Sequence, residues 1–313
     1  MNKNRLLSLL GLIIVVFLWG IAPIASKYLF DNNYNSPALL VAVRGLSSCV
    51  AMLVIILVTG GFKNLNKSYL ICIPAGVFLG CAYLFQFIGL ESTTPAKNTF
   101  LESLSCIAVP ICLLILTREK PSVSSIIAAV ACLFGAFVLC GNGWDFSAMF
   151  TSPTIGDILS AIGGIFFGID IAFTKVFAKN KNPLVYVFFQ LVILTIMSFA
   201  YAFPFEKNLN FTWEVVPILI VLFLGVICTA VCWVLRTKCI ENVSAVTCAV
   251  LMPMSAVIAT VSSIILRMEA FTWNVVIGGL IITLSIVISG IYDAKQEEKK
   301  KVEEKVDEQN QSI

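Results

Sequence analysis

Long apolar runs separated by short clusters of turn-forming or charged residues organise this chain from end to end. The runs fall near 6–30, 37–59, 69–90, 95–116 and 121–141, then near 154–177, 183–203, 216–238, 243–266 and 271–291. A helix needs about 20 mostly apolar residues to cross a bilayer, and each run comes close to that or exceeds it. The breaks carry their own signals, among them Asp31-Asn32-Asn33, Gly60-Gly61, Thr94-Pro95, Arg118-Glu119-Lys120-Pro121, Asn142-Gly143 and Glu241-Asn242. The pattern predicts an all-α fold, a polytopic membrane bundle of ten transmembrane helices.

Composition supports this solvent. Of the 313 residues, 59% are hydrophobic and 12% charged, whereas soluble domains average about 25% charged. The net charge of +3 is too small to suggest a nucleic-acid partner. The first run follows a weakly basic start, as a signal peptide would. Its length, Leu6 to Leu29, and the lack of an Ala-x-Ala site make it a spanning segment instead. Eleven Cys occur without a Cys-x-x-Cys pair, and His is absent. Small apolar packing explains such Cys better than zinc does, and no metal or other cofactor is expected.

Basic residues orient the bundle. With the N-terminus cytoplasmic and ten alternating helices, eleven Lys and Arg fall on the cytoplasmic side, among them Arg118, Lys175, Lys179 and Arg236. Four fall outside: Lys27, Lys97, Lys207 and Arg267. The positive-inside bias thus favours both termini in the cytoplasm. Residues 293–313, rich in Lys and Glu, read as a charged, solvated cytoplasmic tail.

The two halves echo each other. Gly20 precedes Lys27 by seven residues, and Gly168 precedes Lys175 by seven. Pro37 leads to Arg44 and Pro183 to Gln190, again over seven, while Glu91 and Glu241 each precede a short polar turn. Five helices per half is odd, so the second half must enter the membrane inverted. This predicts two repeats, 6–141 and 154–291, with a site at their interface near the midplane.

These residues carry a resemblance. The Leu18-Trp19-Gly20 step before Lys27, the Arg44 of the second helix and the Glu119 and Glu269 turns resemble the drug/metabolite transporter superfamily, in its ten-helix EamA-type branch. Small residues stand nine and sixteen positions after each glutamate, at Ala128 and Gly135 and at Gly278 and Ser285. Pro110 lies nearer to Glu119, and Pro253 farther from Glu269, than in that family. The resemblance implies a two-repeat bundle with a central cavity for small metabolites. It does not imply a substrate.

Polar residues at membrane depth cost roughly 2.5–3.5 kcal/mol each when charged, so they mark cavities or partners. Asn98, Glu102 and Ser105 follow helical spacing and predict one polar face in the fourth helix. Arg44 lies at similar depth, and an Arg44–Glu102 ion pair is the structural alternative to a role with substrate. Asp170 has Ala22 at the matching place in the first half, which points to an acid added for substrate contact or proton carriage. A hydrogen bond to Gln190 is its alternative. Gln86 and Gln190 can bond substrate or link helices. Trp19 and Tyr83, with Tyr186 and Trp233, are candidates for cavity walls able to face a cation.

The expected function is secondary active transport of a small polar organic metabolite, such as an amino acid, an amine or a related solute, by alternating access. Protons are the candidate coupling ion, and without His a carboxylate must carry them. A solute channel and a non-transporting membrane scaffold are the alternatives. An enzyme is not expected, since no nucleophile, base and metal ligands cluster. The expected setting is the lipid bilayer of a bacterial plasma membrane, as a multi-pass monomer or homodimer.

Overall fold

The computed structural model describes residues 3–118, 123–140, 154–206, 209–268, 270–285 and 287–288. Glu119, Glu269, the Asn142-Gly143 break and the tail at 293–313 lie outside them. Among the described residues, eight helices are long and apolar enough to cross a membrane. They are α1 (Lys3–Asp31), α2 (Pro37–Thr59), α3 (Cys72–Glu91, entered through a short 3₁₀ turn), α4 (Pro95–Thr117), α6 (Ile155–Phe177), α7 (Pro183–Phe205), α8 (Val215–Cys239) and α9 (Ala245–Ile265). Two further apolar helices are α5 (Val123–Cys140) and α10 (Trp273–Ser285). The result is a polytopic helical bundle.

Local chemistry sets the helix starts. Pro37, Pro95 and Pro183 open α2, α4 and α7, where a missing N–H costs nothing. Thr94 and Ser244 cap α4 and α9 by accepting from Lys97 N and Thr247 N, and Thr154 with Asp157 forms a capping box on α6. Gly60 ends α2 at φ 65°, a conformation that favours glycine. Large apolar side chains face outward, with Val58 83% and Ile115 72% exposed. In water this would be costly, and in hydrocarbon it is not.

Inside, α3 packs on α6 and α7, α2 on α7 and α8, and α1 on α8 and α9. Close approach depends on missing side chains. A Cβ on Gly20 would lie 2.6 Å from Ile258 Cβ and 2.9 Å from Ser255 O, and one on Gly168 would lie 2.5 Å from Ala108 Cβ and 3.1 Å from Ser105 O. Ser105 and Ser255, and Ala108 and Ile258, stand 150 positions apart. Two lysines also repeat a role. Lys27 donates to the last carbonyls of α3, Leu90 O at 3.3 Å and Glu91 O at 2.8 Å. Lys175 donates to Ile240 O at 2.6 Å and Val243 O at 2.9 Å, just past α8.

Two helices are broken midway. In α4 the helix Pro95–Glu102 gives way to a turn before Ser105–Thr117. In α9, Ala245–Leu251 is followed by a turn at Met252 and Pro253. Pro253 cannot donate to the carbonyl four residues back, Ala249 O, which instead accepts from Met252 N at 3.1 Å and from the Cys106 thiol at 2.9 Å. A third irregularity is a π-helical stretch in α8, Phe223–Val231.

The break in α4 corrects the expected stripe. Asn98, Glu102 and Ser105 do not lie on one continuous helix face, because Ser103 and Leu104 turn the chain between the last two.

Candidate functional site

The break in α4 opens on a central cavity, where Glu102, the last residue before the turn, forms part of the wall. It is lined by Trp19, Ala22 and Pro23 of α1, Arg44 of α2, Tyr83, Gln86 and Phe87 of α3, Glu102 of α4, Phe167 of α6 and Trp233 of α8. Its volume is about 30 Å³, room for one or two waters.

Four aromatic rings form its centre. The Trp19 and Trp233 rings lie 5.0 Å apart, and those of Tyr83 and Phe167 5.5 Å apart. Trp233 Nε1 donates to Tyr83 Oη at 2.6 Å, joining the two pairs.

Arg44 is 1% exposed. Its Nε and Nη2 donate to Thr229 Oγ1 at 3.0 and 2.8 Å. The π turn helps to place that hydroxyl, which itself donates to Leu224 O at 2.8 Å. The guanidinium carbon lies 5.1 Å from the Tyr83 ring centre and 4.9 Å from that of Phe87, within cation–π range. Arg44 Nη1 is buried with no hydrogen-bond partner. Glu102 sits at the break in α4, half-buried, with Oε2 accepting from Gln86 Nε2 at 2.6 Å. The alternative of an Arg44–Glu102 ion pair is therefore not realised: both line the cavity, yet no ion pair joins them.

Asp170 and Gln190 belong to a second cluster. Asp170 is fully buried, with Oδ2 2.8 Å from Arg236 Nη1 and Oδ1 accepting from Gln190 Nε2 at 2.9 Å. Arg236, also 0% exposed, stacks its guanidinium 4.4 Å from the Trp233 ring centre. Trp233 thus touches both the cavity and the second cluster. Beyond Thr174 and Thr237, a larger cavity of about 730 Å³ is lined by Lys175, Lys179, Lys181 and Lys238 among others.

Of the residues expected from the sequence, Trp19, Arg44, Tyr83, Gln86 and Glu102 meet at one cavity. Asp170 and Gln190 meet each other next to it. Asn98 is outside both, donating to Gln86 O at 3.0 Å and to Ser160 Oγ at 2.8 Å, so it ties α4 to α3 and α6. Sequence reasoning missed Phe87 and Phe167, which in an apolar run look like any other phenylalanine. It also missed Arg236, which counts as a cytoplasmic charge near a helix end but is buried beside Asp170. Its signal lay five residues before Glu241, where Gln86 stands before Glu91.

The chain matches the EamA-like transporter family over residues 6–141 and 154–291. It belongs to that family and so to the drug/metabolite transporter superfamily, as a multi-pass membrane protein. It is 27% identical over 288 residues to an uncharacterized transporter of Archaeoglobus fulgidus, covering 91% of this chain and 86% of that one. It is 22% identical over 287 residues to the uncharacterized transporter YoaV of Bacillus subtilis, covering 90% and 96%. A crystal structure of a protein superposes at a TM-score of 0.70 and 15% identity, over 92% of this chain and 98% of that one, which shows the fold.

Proposed function

We propose that this chain is a secondary active transporter that moves a small polar organic metabolite across the membrane by alternating access. It does so with ten membrane-spanning helices arranged as two inverted repeats, 6–141 and 154–291, and both termini in the cytoplasm. One observation carries the reading. The ring contact between Trp19 and Trp233 is repeated by Phe167 and Tyr83, at 5.0 and 5.5 Å. Trp19 and Phe167 are the residues before Gly20 and Gly168, and Tyr83 and Trp233 stand eight before Glu91 and Glu241. Related halves therefore meet at the cavity, which is where such repeats hold substrate.

The cavity size favours alternating access over a channel. With room for one or two waters, the walls must part before an amino acid or amine can enter. A broken helix with a carboxylate at its break, as α4 has at Glu102, suits that motion. Arg44, Gln86 and Glu102, with Trp19 and Tyr83 as walls, form the substrate site of this reading. Asp170 and Gln190 serve coupling or passage, and Asn98 holds the helices around them. Protons are the coupling ion, and the setting is a bacterial plasma membrane.

Purified full-length protein in proteoliposomes, given radiolabelled solutes under an imposed pH gradient, tests this. Uptake above equilibrium that follows the gradient is expected. Flux indifferent to the gradient would leave uniport or exchange, and unitary currents in a planar bilayer would establish the channel alternative.

A further inference from the structure

We propose that the cavity between the α6–α7 turn and the end of α8 is a binding site for a phosphate-type anion, whether a free phosphate group or the headgroup of an acidic lipid. The site shares no lining residue with the central cavity and does not depend on which solute the protein carries.

Charge is the first ground. The cavity, about 730 Å³, is lined by Lys175, Lys179, Lys181 and Lys238 against a single carboxylate, Glu241. Two of these lysines are engaged, Lys175 on Ile240 O and Val243 O, and Lys181 on Phe177 O at 2.7 Å. Lys179 and Lys238 are exposed and have no hydrogen bond or ion pair among the described residues. Asn182, Pro183 and Leu184, at the start of the 23-residue helix α7, complete the wall. The N-terminal end of a helix carries partial positive charge and suits an oxyanion. A comparable cavity of about 340 Å³, beside the α1–α2 turn and the end of α3, has Glu91 and Glu206 as its charged residues instead. A turn facing a helix end does not by itself bring lysines together.

The second ground is independent of charge. Thr237 lines the cavity and is 1% exposed, and its Oγ1 has no hydrogen-bond partner. Thr195 and Thr260, elsewhere in the bundle, donate to the carbonyl four residues back. Thr237 does not, and a buried hydroxyl left unpaired is costly. The preference of lysines for the cytoplasmic side accounts for their presence. It does not account for this hydroxyl. A phosphate oxygen accepts from Thr237, while Lys179 and Lys238 answer its charge. Held there, the anion bridges the α6–α7 turn and the end of α8.

Melting of the purified full chain tests this in two arms. In detergent, inorganic phosphate is titrated against sodium chloride of equal ionic strength. In nanodiscs, phosphatidylcholine with phosphatidylglycerol is compared with phosphatidylcholine alone. Stabilisation in at least one arm is expected, and the arm that responds names the source. Lys179→Gln with Lys238→Gln should raise the anion concentration needed for half the shift about fivefold or more. Thr237→Val should raise it about tenfold, the scale of one hydrogen bond to a charged group, and Thr237→Ser should not. Lys63→Gln with Lys67→Gln is the control. These two lysines are exposed at the same end of the bundle, where Tyr69 Oη accepts from Asn182 N at 3.0 Å, but they lie outside the cavity. Absence of stabilisation in both arms overturns the proposal. So does a response that the Lys179 and Lys238 changes leave intact, or one that the control pair weakens equally, which marks diffuse surface charge. Both lysine pairs are exposed, so the test stands even where Thr237→Val fails to fold.

Discussion

Trp233 donates its indole N–H to Tyr83 Oη across 2.6 Å, and the two residues stand at matching places, eight before Glu241 and eight before Glu91. Under the two-repeat arrangement proposed above, a contact between matched residues would lie on the axis relating the halves, and a motion exchanging them would pivot at this bond or break it.

The bond should be measurable as a coupling. Tyr83→Phe or Trp233→Phe is expected to lower stability by about 0.5–1.5 kcal/mol. The double variant should lose little more than the worse single one, since both remove the same bond. Melting of the four proteins in detergent checks this, and full additivity would show that the two groups do not act on each other.

Asp170 and Arg236 should behave unequally when separated and when removed together. Asp170→Asn leaves a fully buried guanidinium without its counter-ion, a loss expected at about 3–5 kcal/mol. Asp170→Asn with Arg236→Gln removes both charges and should recover part of that loss. A double variant less stable than either single would contradict the pairing.

The two lysine caps offer a test of repeat equivalence. Lys27→Met and Lys175→Met each strip a cation from carbonyls at or just past a helix end, and each is expected to cost about 1 kcal/mol. Similar melting shifts would match their similar geometry. A shift confined to one would show that the two positions carry different loads.

Orientation can be read chemically. In a variant lacking the native cysteines, Asn32→Cys lies between α1 and α2 and Asn180→Cys between α6 and α7, both at exposed positions. With the N-terminus inside, a membrane-impermeant maleimide should label Asn32→Cys on intact cells and Asn180→Cys only after permeabilisation. The opposite pattern would invert the topology.

The sequence by itself determined where helices lie and where they begin. Pro37, Pro95 and Pro183 open α2, α4 and α7 as the breaks imply, and the eight long spans end within a few residues of the apolar runs. The reason is that the bilayer imposes a length and an apolarity on each crossing, and both are local properties of the chain. The matched spacings of Gly20 and Gly168, and of Glu91 and Glu241, are likewise legible in the sequence and are the ground for proposing two related halves. Only the tertiary structure decided which polar groups meet. Arg236 reads as a surface charge near a helix end, but α6 brings Asp170 beside it from 66 positions away. Arg44 and Glu102 read as a pair at similar depth, yet the π turn of α8 offers Thr229 to Arg44, and the break in α4 leaves Glu102 facing Gln86. A membrane helix declares its span through composition. Its rotation about its own axis, its breaks and its partners are set by packing against neighbours, and those neighbours come from distant parts of the chain.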